Sequence, residues 1–131
     1  MSKPLRILLI EDCEDILFLL TSELEWMGYR VDPAGDAEAA LKLARTTRPD
    51  LILSDVLMPG MSGVELLRQM REIPGLSEVP AVAVTGFGLD SEIGQIKAAG
   101  FAAWLVKPVE VHELAALIEE LTQPLKMRKA S

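Results

Sequence analysis

The sequence is poor in the residues that build disulfide scaffolds and membrane spans. Its 131 residues include one cysteine, Cys13, so no disulfide can form within the chain. An uninterrupted apolar run such as residues 16–20 is far shorter than the ~20 residues that a transmembrane helix needs. The first apolar run meets Glu11 and Asp12 too early to be the core of a secretory signal. We therefore expect a cytoplasmic protein that does not associate with a membrane.

Basic residues are also scarce. Thirteen lysines and arginines stand against twenty acidic residues, which gives a formal net charge of -7. This sign opposes binding to a phosphate backbone, so we expect no direct contact with nucleic acid. Half of the residues are hydrophobic and a quarter are charged, proportions that are typical of a globular domain. The length predicts one domain, which we place at residues 1–123, followed by a tail or linker stub at 124–131.

Short apolar runs alternate with longer amphipathic segments along the chain. Four runs are apolar throughout, as in strands buried on both faces: residues 7–10, 51–53, 81–84 and 103–106. A weaker run surrounds Tyr29 and Val31. The segments between the runs have apolar residues at helical spacing. Asp36, Asp90 and Ser62 are candidate N-caps of these helices. The alternation predicts an α/β fold, a five-stranded doubly wound parallel sheet with helices on both faces.

Polar side chains follow the predicted strands where a ligand would bind, beyond their carboxyl ends. Glu11 and Asp12 follow the first strand, Asp55 the third, Thr85 the fourth and Lys107 the fifth. Three carboxylates at -3 and one ammonium at +1 leave a charge of -2, which a divalent cation would balance. Oxygen donors without histidine or thiolate favour Mg²⁺, for which Mn²⁺ could substitute. A carboxylate beside such an ion is suited to accept a phosphoryl group, and Asp55 is the natural nucleophile.

These residues resemble the receiver domain of two-component response regulators over nearly the whole chain, from about Pro4 to Leu121. The motifs that carry the resemblance are Glu11-Asp12, residues 49–55, the Met-Pro-Gly-Met-Ser-Gly of residues 58–63, Thr85-Gly86 and Lys107-Pro108. Each motif is weak alone, but the ordered set is specific. The resemblance implies a flavodoxin-like receiver fold with strand order 2-1-3-4-5.

The resemblance also implies a role for each strand-end residue. Asp55 would receive a phosphoryl group from a phosphohistidine on a sensor histidine kinase or a histidine phosphotransfer protein. The side chains of Asp12 and Asp55 and the backbone carbonyl of Leu57 would ligate Mg²⁺, with Glu11 acting partly through water. Lys107 would hold Asp55 before transfer and a phosphoryl oxygen after it. The chain would thus catalyse only its own phosphorylation and dephosphorylation, and would be no enzyme for another substrate.

Two further residues are implied to act as the switch. In the family, the hydroxyl that matches Thr85 moves to the phosphoryl group while an aromatic residue turns inward. That aromatic is Trp104 here, where tyrosine or phenylalanine is commoner. The fourth helix, fifth strand and fifth helix would then present a changed face to a downstream protein target. The Lys107-Pro108 bond matches one that is usually cis in the family.

The residues near the acceptor also bear on the lifetime of the phosphorylated state. Leu57 and Phe87 lie two positions after Asp55 and Thr85, and both are apolar. Neither side chain can position an attacking water. We therefore predict a longer-lived phosphorylated state than a polar residue would give.

Three other functions remain as alternatives. A phosphorylation-independent receiver-like interaction module would keep the fold but fail to bind Mg²⁺. A phosphatase of the haloacid dehalogenase kind would need a second aspartate where this chain has Leu57, and a substrate cap. A flavodoxin-like redox module would need a loop rich in hydroxyls and glycine after the first strand, where residues 11–15 are mostly acidic.

Overall fold

The computed structural model describes residues 4–86 and 90–123. Within these ranges, strands and helices alternate along the chain. They are β1 (Arg6–Ile10), α1 (Glu14–Trp26), β2 (Arg30–Ala34), α2 (Ala37–Thr47), β3 (Leu51–Asp55), α3 (Gly63–Arg71), β4 (Ala81–Thr85), α4 (Asp90–Ala99), β5 (Ala103–Val106) and α5 (Val111–Thr122). The predicted alternation of strands and helices is confirmed.

The five strands form one parallel sheet in the order β2-β1-β3-β4-β5, as predicted. Residues of β1, β3 and β4 are buried on both faces of the sheet because helices cover each face. Leu24 of α1 and Ile118 of α5 belong to one apolar core. Ala40 of α2, Leu66 of α3 and Ile96 of α4 belong to the other. The predicted doubly wound architecture is therefore confirmed.

Strand β2 forms an edge of the sheet, which explains its weak sequence signal. The backbone N–H of Arg30 donates to the carbonyl of Leu5, and the carbonyl of Ala34 accepts from the N–H of Glu11. The backbone N–H and C=O groups of the even-numbered residues of β2 therefore point toward β1, whereas the backbone of Pro33 points away from it. A proline has no N–H, so at this position it removes no hydrogen bond from the ladder.

The helix ends follow local signals in the sequence. Asp36 and Ser62 each accept a hydrogen bond from the backbone N–H three residues later, at 2.8 and 3.2 Å, and so cap α2 and α3. Gly100 follows α4 with φ +102, a conformation that residues with a side chain rarely adopt. Helix α4 begins at Asp90 itself, one residue earlier than a cap at that position predicts.

The described ranges end one residue after α5. The predicted boundary at residue 123 stays a prediction, and the predicted tail at 124–131 lies outside the described residues, as does Phe87. Among the described helices, none has the length and apolar character needed to cross a membrane.

Candidate functional site

Three carboxylates meet at the carboxyl edge of the sheet. Glu11 and Asp12 follow β1, and Asp55 is the last residue of the neighbouring strand β3. One oxygen of each side chain lies within 4.8 Å of the others. Glu11 and Asp55 are buried, each with an exposed fraction of 3%, and Asp12 is exposed. The site thus has a buried floor and one carboxylate that is open to solvent.

Lys107 bridges the two buried carboxylates from the end of β5. Its Nζ lies 2.9 Å from Oδ2 of Asp55 and 3.4 Å from Oε1 of Glu11. The backbone N–H of Lys107 donates to the carbonyl of Thr85, which continues the pairing of β5 with β4 past the apolar residues. The Lys107-Pro108 peptide bond is cis, as the resemblance implies.

Backbone amides orient the other oxygen of each buried carboxylate. The N–H of Leu57 donates to Oδ1 of Asp55 at 3.2 Å, and the N–H of Cys13 donates to Oε2 of Glu11 at 3.0 Å. Each oxygen of an ionised carboxylate has two lone pairs, so both groups keep capacity for a further ligand. The arrangement fixes the carboxylates without exhausting their acceptor sites.

Burial and charge set the protonation of this cluster. Burial raises the pKa of Glu11, and the charge of Asp55 adds to the rise, although the Cys13 amide and Lys107 partly offset it. Burial alone would lower the pKa of Lys107, but the hydrogen bond and charge of Asp55 and the charge of Glu11 outweigh it and raise that pKa. The ammonium therefore stays charged at neutral pH. It is one cationic group beside three carboxyl groups. An all-oxygen site of this charge fits a hard divalent cation.

Thr85 lies at the same edge but bonds to a helix. It is the last residue of β4 and is fully buried. Its hydroxyl donates a hydrogen bond to the carboxylate of Glu92, in the first turn of α4. Sequence reasoning did not identify Glu92. The available signal was its position three residues into a helix that begins shortly after β4.

Trp104 also contacts α4. It lies on β5, partly buried, and packs against the core that includes Ile96. The Nζ of Lys97 lies 5.0 Å from the centroid of the Trp104 ring, which is a cation–π contact. Sequence reasoning identified Trp104 but missed Lys97, because an exposed lysine on a helix has no distinguishing pattern.

Gly63 fixes the loop that follows β3. Its N–H donates to the carbonyl of Val56 at 2.8 Å. A Cβ at this position would lie 2.3 Å from the carbonyl oxygen of Asp55 and 2.9 Å from the Cα of Val56. Residues with a side chain therefore cannot fit without moving the end of β3. Sequence reasoning noted Gly63 only as part of a motif, since a close backbone approach is visible only in the fold.

An apolar groove of about 350 Å³ opens beside Lys107, between α1 and the segment after β5. Its apolar lining consists of Ile16, Leu19, Leu20, Val84, Pro108 and Val109. Leu19 is 56% exposed although it is a large hydrophobic residue. We call this feature the α1 groove. It extends from the carboxylate cluster along the outer surface of the molecule.

The fold and the site together define a class of protein. A doubly wound sheet of order 2-1-3-4-5 carries an acidic cluster, bridged by a lysine, at the edge where such sheets bind ligands. The family model of the response regulator receiver domain matches residues 7–119. The chain belongs to this family, the receiver domains of two-component systems.

Individual relatives agree with the family match. The polar-differentiation response regulator DivK of Brucella anthropi is 33% identical over 108 residues, which cover 82% of this chain and 88% of DivK. The structure of the chemotaxis protein CheY4 of Vibrio cholerae matches with a TM-score of 0.87 at 30% identity, covering 90% of this chain and 98% of that one. The receiver domain of the sensor histidine kinase PA1611 of Pseudomonas aeruginosa has a TM-score of 0.83 at 28% identity, covering 91% and 98% of the two chains. That structure has a magnesium ion coordinated in its active site cleft.

Proposed function

We propose that this receiver domain is a phosphorylation-dependent switch in which Asp55 accepts a phosphoryl group from a phosphohistidine. The observation that carries the proposal is the placement of Asp55, which is buried 2.9 Å from the Lys107 ammonium and within 4.8 Å of the carboxylates of Glu11 and Asp12. A structural ion pair alone would not need two additional acids at the same place. The cluster is suited to bind a cation and a transferring phosphoryl group together.

The reaction exchanges one bond for another. An Asp55 carboxylate oxygen forms a bond to phosphorus as the phosphorus–nitrogen bond breaks, and the electron pair remains on the imidazole that leaves. Lys107, held at Asp55 before transfer, then contacts a phosphoryl oxygen. We propose that the side chains of Glu11, Asp12 and Asp55 and the carbonyl of Leu57 hold Mg²⁺, or Mn²⁺ in its place. The bound ion would neutralise charge on the phosphoryl oxygens.

The product is a changed protein surface, and no separate substrate is converted. The chain would act only on itself, by taking up and losing the phosphoryl group. Thr85 and Trp104 are the proposed switch residues, and a downstream protein would read the face formed by α4, β5 and α5. Receiver domains of response regulators interact with histidine kinases and output domains, so a sensor histidine kinase or a histidine phosphotransfer protein is the proposed donor.

The α1 groove supports a docking position for the donor. It begins at Glu11 and Lys107 and continues along α1 to Leu19 and Glu23. A helix that presents its phosphohistidine to Asp55 would lie across this groove, because the groove is continuous with the cluster. The acidic residues Glu14 and Asp15 at the start of α1 favour a donor surface with basic side chains. We therefore propose the helix that carries the histidine as the occupant.

Intact mass measurement tests the phosphoacceptor. After incubation with acetyl phosphate, we expect a gain of one phosphoryl group that needs Mg²⁺ and is removed by hydroxylamine. Asp55→Asn should show no gain. If the parent chain also shows no gain, and beryllofluoride with Mg²⁺ leaves its tryptophan fluorescence unchanged, the chain is instead the phosphorylation-independent interaction module.

A second comparison tests the docking position. Leu19→Ala should leave the rate of phosphorylation by acetyl phosphate unchanged, since a small donor needs no groove. It should slow transfer from a histidine phosphotransfer protein that phosphorylates the parent chain, by about tenfold if Leu19 is a central contact. Phe18→Ala is the matched control, because Phe18 is 75% exposed on the same helix but does not line the groove. Equal transfer rates for Leu19→Ala and the parent would contradict the docking position.

A further inference from the structure

One helix, α4, contacts both of the proposed switch residues. Glu92 accepts the hydrogen bond from the Thr85 hydroxyl, and Lys97 lies over the ring of Trp104. The two α4 residues are on the same short helix, whereas Thr85 and Trp104 lie on neighbouring strands. Two separate side-chain contacts thus join one helix to the two positions that are proposed to change on activation.

The contact between Thr85 and Glu92 is incompatible with a hydrogen bond from Thr85 to a phosphoryl oxygen. A threonine hydroxyl has one hydrogen to donate, so it can serve one of these acceptors at a time. Both acceptors are anionic, and hydrogen bonds to ionised acceptors are stronger than neutral ones. Thr85 is fully buried, so bulk water offers its hydroxyl no ready substitute for either acceptor.

We propose that Glu92 is a positioning residue that holds the Thr85 hydroxyl in the unphosphorylated state and competes with the phosphoryl group for its hydrogen. This inference rests on the proposed function and identifies how the same site is regulated. Phosphorylation draws Thr85 away from Glu92, and α4 loses a contact at its first turn. Among residues 91–99 of α4, Ile96 is the fully buried one, and Ala99 packs against the same core. The contact of Lys97 with the Trp104 ring is the second contact of α4 that would break on activation.

Binding of beryllofluoride with Mg²⁺ tests this inference, because beryllofluoride mimics the phosphoryl group. Affinity is measured by calorimetry on the full chain. Glu92→Ala should bind beryllofluoride about tenfold more tightly than the parent, since the competing acceptor is gone. Alanine is a better helix former than glutamate, so the substitution should not unfold α4. Gln95→Ala is the matched control on an exposed position of the same helix, and its affinity should equal that of the parent.

A double-mutant cycle separates competition from simple repulsion between Glu92 and the anion. In a Thr85→Ala background, Glu92→Ala should leave the affinity for beryllofluoride unchanged, because there is no hydroxyl to release. Repulsion would instead persist in that background and give the same tightening. Glu92→Gln, whose amide oxygen is a weaker acceptor, should have an affinity between those of the parent and Glu92→Ala.

Trp104 gives a second readout that a structural role of Glu92 alone would not move. The chain has two tryptophans, and Trp26 is 89% exposed, so Trp26→Phe isolates the emission of Trp104 at little structural cost. In this background, Glu92→Ala should shift the emission of the unliganded protein toward that of the beryllofluoride complex. Lys97→Met, which removes the cation from the ring, should also tighten beryllofluoride binding, by about threefold.

The outcomes distinguish this inference from the proposed function. If the parent chain does not bind beryllofluoride with Mg²⁺, the proposed function fails. If the parent binds it but Glu92→Ala does not bind it more tightly, the role of Glu92 is overturned while the proposed function stands. Equal tightening in the presence and absence of the Thr85 hydroxyl also overturns that role and assigns the effect to repulsion.

Discussion

Glu11 carries its charge at a position where burial opposes it. Its pKa is raised above the ordinary value of 4.5, mainly by burial and also by the charge of Asp55. The folded state therefore binds a proton more tightly than the unfolded state does. The associated stability is fully present below a pH of about 4.5 and is lost as the pH rises through the raised pKa. At neutral pH, the ionised side chain of Glu11 therefore lowers the free energy of unfolding.

Glu11→Gln should raise the stability of the chain without metal at neutral pH. The amide keeps the shape and an acceptor oxygen but carries no charge to desolvate. In urea unfolding without Mg²⁺, we expect a higher midpoint for Glu11→Gln than for the parent at about pH 8, and a difference that shrinks as the pH approaches about 4.5. The raised pKa of Lys107 does not disturb this comparison, because Lys107 changes its protonation only at alkaline pH, outside the range that is measured. A midpoint for Glu11→Gln below that of the parent at pH 8 would contradict this explanation.

Leu57 is the residue at which the lifetime of the phosphorylated state can be tested. The residue is 55% exposed, and its backbone N–H donates to the Asp55 carboxylate, so Leu57 lies beside the proposed acceptor. In Leu57→Asn, the amide can orient a water for attack on the acyl phosphate, and we expect the phosphoryl group to be lost severalfold faster. The decay is followed by intact mass after acetyl phosphate is removed. Leu57→Ala is the control, and an unchanged rate in Leu57→Asn would count against the prediction.

Sequence reasoning brought together the acidic residues and Lys107, but it missed Glu92. The end of a parallel strand places the next side chain at a known edge, so Asp55 and Lys107 could be assigned from strand patterns alone. The partner of Thr85 depends on how α4 is oriented over the sheet. Helical periodicity does not specify that orientation, because α4 buries few side chains.

At the level of elements, four strands had a clear sequence signal, whereas the signal for the edge strand β2 was weak. The apolar runs located β1, β3, β4 and β5, but β3 extends to Asp55 and β4 to Thr85 because backbone pairing continues past the apolar residues. Strand β2 contains Arg30, Asp32 and Pro33, which a buried strand excludes. The edge position of β2, where Arg30 and Pro33 are exposed, therefore explains the weak signal.

The junction of β3 and α3 should tolerate no side chain at Gly63. In Gly63→Ala, the new Cβ would displace the carbonyl of Asp55, and we expect a loss of about 2 kcal/mol in the free energy of unfolding. Phosphorylation by acetyl phosphate should slow at the same time because Asp55 moves. Gly94→Ala is the matched control, since a Cβ there meets no atom within 4 Å and the change should stabilise α4 by about 1 kcal/mol. Equal stability of the two variants would contradict the packing explanation.

At the scale of the whole molecule, a divalent cation bound at the proposed site of Glu11, Asp12 and Asp55 would stabilise the folded state. An ion that binds only the folded chain shifts the unfolding equilibrium by mass action. Millimolar MgCl₂ should therefore raise the melting temperature by a few degrees, whereas NaCl at the same ionic strength should have a smaller effect. In Asp12→Asn and Asp55→Asn the rise should be reduced or lost. A rise of equal size in these variants would assign it to general screening instead of the site.

Pro33 limits the hydrogen bonding that the outer edge of β2 can offer to another strand. The backbone of Pro33 faces away from β1, so the β2 edge of the sheet lacks a hydrogen-bond donor where an additional strand would require one. A segment from another molecule cannot extend the sheet there with a complete ladder. Pro33 therefore discourages edge-to-edge aggregation through β2.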